Sequence, residues 1–266
     1  MGLESIRTPE DLRALGWSEL ESLADEIRGF LIEKVAVTGG HLGPNLGVVE
    51  LTIAIHRVFN SPQDPIIWDT GHQSYVHKLL TGRQDFSHLR EAGGLAGYPQ
   101  RSESIHDVVE SSHASSSLSW ADGISKAFEM TGQDDRTVVA VVGDGALTGG
   151  MTWEALNNIS HDNSRRLVLV VNDNGRSYAP TIGGISRFLS EVRTRPTYRN
   201  LHHLSWAIAR RLGGPARAFY RGVRGGIHGF LSRFSNNESL YSNLDIKYIG
   251  PVDGHNIKDV ARALEQ

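Results

Sequence analysis

The chain has 266 residues, 39% of them hydrophobic, enough to bury one large α/β core. It has no cysteine, which excludes disulfides, zinc–thiolate sites and thiol catalysis. No apolar run reaches the roughly 18 residues of a membrane span, and residues 1–40 carry acidic groups with no signal-like apolar core, so a cytoplasmic protein is expected.

In chain order, the first clear helix is predicted to open at Ser18, with Glu21 completing a capping box. It buries Leu20, Leu23, Ala24, Ile27, Leu31 and Val35 at helical spacing. Gly39-Gly40 stops it and delivers His41 into a loop. A second helix is predicted from about Asn45 to Phe59. A short strand, Pro65 to Trp68, then ends in the polar cluster Asp69-Thr70-Gly71-His72. The small, polar segment from Ser111 to Ser119 precedes a helix predicted from about Leu118 to Met130.

Two later runs carry most of the chemistry. Thr137 to Val142 and Leu167 to Val171 are short, Val-rich and bounded by loop-formers, so both are predicted as buried parallel strands, with a helix from about Met151 to Ile159 between them. The first ends in Gly143-Asp144-Gly145-Ala146 and the second in Asn172-Asp173-Asn174. Both clusters therefore fall at the carboxyl ends of strands, where open α/β sheets bind ligands. The first is a poor dinucleotide loop, because Thr148 stands where the third glycine is needed. A carboxylate in such a loop would repel a diphosphate unless a divalent cation stood between them. Asp144, an Asn amide oxygen, a backbone carbonyl, two phosphate oxygens and a water would satisfy octahedral Mg²⁺. Taken singly, the clusters also fit an ordinary strand-to-helix turn and an Asx turn; together they favour a metal–diphosphate site.

The net charge of −3 hides an asymmetry, since Val192 to Asn237 holds nine Arg and no acid, leaving −12 on the rest. Leu201, Leu204, Ile208 and Leu212 suit one helix face with Arg210 and Arg211 on the solvated side. The stretch carries no nucleic-acid-binding motif and is broken by Gly213-Gly214-Pro215 and Gly225-Gly226, so a nucleic-acid surface is not expected. The segment of about 176–240 is expected to be mobile and to flank the active site or face a partner.

Gly143-Asp144-Gly145 followed about thirty residues on by Asn172-Asp173-Asn174 resembles the thiamine-diphosphate (ThDP) fingerprint. Other blocks narrow the likeness: His41-Leu-Gly-Pro-Asn-Leu-Gly47, Trp68-Asp-Thr-Gly-His-Gln73, His77 to Arg83, Gly93-Gly94-Leu95, Arg101-Ser102-Glu103-Ser104 and Tyr248 to His255. In this order they are similar to the 1-deoxy-D-xylulose-5-phosphate synthase family of transketolase-like ThDP enzymes, from about residue 5 to the end.

The resemblance implies an α/β fold, a mainly parallel sheet sandwiched by helices, as in the diphosphate-binding domain of the transketolase superfamily. Residues 1–266 would form that single domain, and the aminopyrimidine-binding and C-terminal domains would be absent. It implies Mg²⁺ held by Asp144, Asn174 and the backbone of Arg176. Gly143, Gly145, Ala146, Asn174 and the loop Ser112-His113-Ala114 would contact the cofactor, the backbone amides of Gly145 and Ala146 meeting the diphosphate. His41 would transfer protons near the reacting carbon, and His72 would touch cofactor and substrate. Outside these matches, His56 and His88 are expected to be structural, Asn157 and Asn158 helix-surface amides, and Ser115 to Ser117 no nucleophiles, since they lack a paired base.

The activity implied is the condensation of pyruvate with D-glyceraldehyde 3-phosphate with loss of CO₂, serving isoprenoid-precursor and thiamine biosynthesis. Family members are more than twice as long as this chain, which would be a split subunit, a truncated product or an excised domain. It is expected to be inactive alone and to form a homo-oligomer or a heteromer with a chain supplying the missing domains. Two alternatives are a split transketolase-like enzyme with another acceptor and a non-catalytic remnant.

Overall fold

The computed structural model describes residues 2–162, 164–173 and 246–266. The chain divides into two compact units, Met1–Thr181 with Val252–Gln266, and Ile182–Pro251. Of the second, residues 246–250 and Pro251 are described and form no regular element. The Arg-rich segment, Asn174 and Arg176 lie outside the described residues.

Among the described residues of the first unit a three-stranded parallel sheet runs β1 (Ile66–Trp68), β2 (Val138–Gly143), β3 (Leu167–Asn172), in that spatial order. Ile67 pairs with Ala140 and Ala140 with Leu169, so side chains alternate in register across all three strands. Ile66, Trp68, Val139 and Val141 face one core, which Val168 and Val170 also line. That core is closed by α2 (Trp17–Thr38), α4 (Val49–Val58), α5 (Tyr75–Leu80) and α8 (Ile257–Leu264). Ile67, Val138, Ala140 and Val142 are equally buried but stand outside that cluster. They belong to the opposite face, where α6 (Ser117–Met130) crosses all three strands and packs on α7 (Gly150–Ile159). Helices therefore sandwich the sheet, and β1 and β2, covered on both faces, are apolar throughout.

The helix core was well placed by periodicity. Leu20, Leu23, Ala24, Ile27, Leu31 and Val35 are the buried residues of α2; each Leu, Ile or Val side chain among them is worth about 1.5–3 kcal/mol on burial. Its start lies earlier than the pattern indicated. Gly16 is the N-cap, and the Glu19 carboxylate, not Glu21, accepts the Gly16 N–H at 2.8 Å. Gly39 ends the helix at φ 73°, a conformation open to glycine. The stretch expected as one helix from Asn45 to Phe59 is two, α3 (Leu42–Leu46) and α4, because after the Gly47 C-cap Val48 leaves the helical path, at φ −119° and ψ 14°. Short α1 (Pro9–Arg13) precedes them. No described helix is long and apolar enough to cross a membrane.

Candidate cofactor site at the carboxyl edge of the sheet

All three strands point their carboxyl ends the same way, and the polar clusters follow them. The loop after β1 is anchored by Asp69, 2% exposed. Its carboxylate accepts the N–H of Ser115 at 2.8 Å, the N–H of Ser117 at 3.1 Å and the Ser117 hydroxyl at 2.7 Å. These bonds fix the entry to α6 and hold Ser115 at φ 72°. The Ser115 hydroxyl in turn donates to the carbonyl of Ala146 at 2.7 Å, joining this loop to the one after β2. That joint is tight, since a Cβ on Gly149 would fall 2.0 Å from the Ser115 oxygen. The Ser115 hydroxyl faces a carbonyl and no base, whereas Ser117, expected to lack a paired base, donates its hydroxyl to the Asp69 carboxylate. Ser112, His113 and Ala114 are exposed on the same loop, ahead of α6. Asn157 and Asn158 are exposed on α7.

Asp144 leaves β2 nearly buried, 6% exposed, and its N–H donates to the Asn172 carbonyl at 3.1 Å. Its Oδ1 accepts the Gly145 N–H at 3.0 Å. Gly145 and Ala146 then enter a short 3₁₀ turn, Ala146–Thr148, that leads into α7. Gly143 is open, with nothing within 4 Å of where a Cβ would stand.

His41 and His72 come together from different elements. Their ring centroids are 5.4 Å apart at 72°. Asn45, fully buried on α3, ties both loops: its Nδ2 donates to the carbonyl of His41 at 2.7 Å and of His72 at 2.8 Å. Its Oδ1 accepts the Tyr75 N–H at 2.8 Å. The Tyr75 hydroxyl accepts the His41 N–H at 3.3 Å, and the Tyr98 ring lies 5.9 Å from that of His41. Burial lowers both imidazoles from their ordinary value, aided by Arg90 at His41 and by His41 itself at His72. Both shifts favour the neutral imidazole, and the Nδ1 of each is buried without a partner among the described residues.

Behind β1 lies a second polar assembly that periodicity does not reveal. His56 Nε2 meets His77 Nδ1 at 2.9 Å, and His77 Nε2 meets Asp107 Oδ1 at 3.0 Å. Arg83 bridges Asp107 through two nitrogens, at 2.6 and 2.9 Å, and Lys78 pairs with Glu103. Burial opposes ionisation of Asp107, but His77 and Arg83 outweigh it and hold the carboxyl well below its ordinary range. His56 is fully buried within this network. His88 is exposed and pairs with Glu91 at 2.8 Å.

The sequence placed His41, His72 and Asp144 at this edge but gave no weight to Asn45, Asp69 or Tyr75. Asp69 had a signal, a carboxylate directly after a strand. Asn45 had none beyond its place in the His41 block.

A helix-sandwiched parallel sheet with polar loops gathered at its carboxyl edge is an α/β domain of the ligand-binding kind. A transketolase mutant from Pichia stipitis aligns with TM-score 0.55 and 21% identity, covering 64% of this chain and 30% of that one. The family profile described as 1-deoxy-D-xylulose-5-phosphate synthase matches residues 3–266. Proteins of that name from Leifsonia xyli subsp. xyli and Clavibacter sepedonicus are 75% and 70% identical over 264 residues, 99% of this chain and 41% of each of theirs. The chain belongs to the 1-deoxy-D-xylulose-5-phosphate synthase family, and it spans about two fifths of the length of these relatives.

Proposed function

We propose that the chain supplies the diphosphate- and Mg²⁺-binding part of a ThDP-dependent transferase that condenses pyruvate with D-glyceraldehyde 3-phosphate and releases CO₂. The observation that carries this reading is the bonded lattice at the sheet's carboxyl edge, which joins the Asp144 loop to β3 and the His41 loop to the His72 loop through Asn45. Family membership supports the substrates and favours this reading over another acceptor or a non-catalytic remnant.

The donor chemistry fits the cofactor. Asp144 offers a hard oxygen at a strand end, which suits a small cation bridging to phosphate. Asn174 and the Arg176 carbonyl would complete the set of protein ligands. The amides of Gly145 and Ala146 would face the diphosphate, with Ser112, His113 and Ala114 closing over it. Bound ThDP supplies the electron sink that lets pyruvate lose CO₂. His41, kept neutral by burial, can donate a proton to a developing alkoxide and take it back near pH 7. His72 stands beside it to orient cofactor and substrate.

The test is a chimera in which this chain replaces the matched part of the Leifsonia xyli relative. Product should form from the two substrates, and His41→Asn should lower turnover by roughly 10²–10⁴. A folded chimera that binds ThDP but makes no product contradicts the proposal.

A further inference from the structure

Gln73 follows His72 on the loop after β1 and is 2% exposed. Its Oε1 accepts from Asn172 Nδ2, at the end of β3, at 3.2 Å. Because β2 lies between β1 and β3, this contact carries the Gln73 side chain across the carboxyl end of β2, where Asp144 begins. Asn172 is bonded to that loop as well, through the Asp144 N–H on its carbonyl. One arm of the Gln73 carboxamide is therefore fixed into the floor of the site.

The other arm is not. Gln73 Nε2 is buried and has no acceptor among the described residues. A buried amide N–H without an acceptor is costly, and one that gains its acceptor from a ligand recovers that cost on binding. An apolar ligand group would leave the N–H orphaned, and a cation would be repelled by its positive end; an oxygen-rich anion satisfies it.

We propose that Gln73 is a cofactor-binding residue, donating Nε2–H to a phosphate oxygen of a diphosphate group seated beside Asp144 while it holds Asn172 in place. The inference rests on the ThDP reading above and adds a direct donor to it. Gln73 can do both because a carboxamide has an acceptor and a donor on separate arms, whereas a Glu at this position keeps the acceptor and loses the donor.

Two variants separate the roles. Gln73→Glu preserves the oxygen facing Asn172; Gln73→Met removes both arms at similar size. The chain and both variants are titrated with ThDP in Mg²⁺ by calorimetry and by ³¹P NMR, and their melting without ligand is recorded. Both variants should bind ThDP weaker on the order of tenfold or more. If either variant binds ThDP like the unchanged chain, the donor role is overturned. If Gln73→Glu does not fold, Gln73→Met decides, and unaltered binding overturns the proposal. No binding by the unchanged chain overturns the ThDP reading itself, a separate result.

Discussion

A Cβ placed on Gly40 would stand 2.8 Å from the Tyr75 hydroxyl. The backbone there, at φ 139°, is open to glycine alone, and the same hydroxyl accepts the N–H of the next residue, His41. The proton-transfer candidate is therefore positioned by a contact that only a missing side chain permits. Gly40→Ala should cost about 2 kcal/mol or more, through backbone strain and the clash. Tyr75→Phe, losing one hydrogen bond, should cost about 1 kcal/mol. Urea midpoints at constant m-value give both numbers, and the glycine variant should be the worse.

Asn45 is the second positioning point. Asn45→Ala would strand the carbonyls of His41 and His72 and the Tyr75 N–H, each costing about 1–3 kcal/mol when buried unpaired. A loss above about 3 kcal/mol in urea unfolding is expected. A loss under about 1 kcal/mol would mean that the two histidine loops do not depend on it.

The buried ion pairs behind β1 should act as one unit. Lys78→Met leaves the Glu103 carboxylate with Arg83, at 3.3 Å, as its remaining cation, so the loss should fall below the roughly 3–5 kcal/mol of a fully broken buried pair. Glu103→Gln in the same background should restore part of that. The double-mutant cycle measured by urea unfolding should therefore be non-additive.

Stability should fall on acidification. Burial lowers His56 well below its ordinary value, and it lowers His106 to about 4, with His77 adding to both shifts. Below the unfolded value of about 6.5 the unfolded chain takes up protons that the folded chain refuses, so stability increases with pH across this window. Melting temperature should drop from pH 7 toward pH 4.5. His106→Asn should flatten that slope, and an unchanged slope would show that His106 takes no part in it.

The sheet, its loops and the α2 core were legible because they are written locally: short apolar runs bounded by loop-formers, and a 3.6-residue stripe from Leu20 to Val35. The break at Gly47 and Val48 was not, since Leu46, Val49 and Ile53 keep helical spacing through it. The His56–His77–Asp107 network joins residues 21 and 30 positions apart, and pairs at that separation leave no periodic trace. Asn45 reads as an ordinary helix polar residue until its partners, His41 and His72, are brought beside it by the fold.

The central claim, that Asp144 meets a diphosphate through Mg²⁺, is tested most directly by titrating ThDP into the chain with Mg²⁺ and again with EDTA. Binding should require Mg²⁺, and Asp144→Ala should remove most of it while leaving the fold intact by circular dichroism. Equal ThDP affinity in EDTA, or undiminished Mg²⁺-dependent binding by Asp144→Ala, would contradict the account.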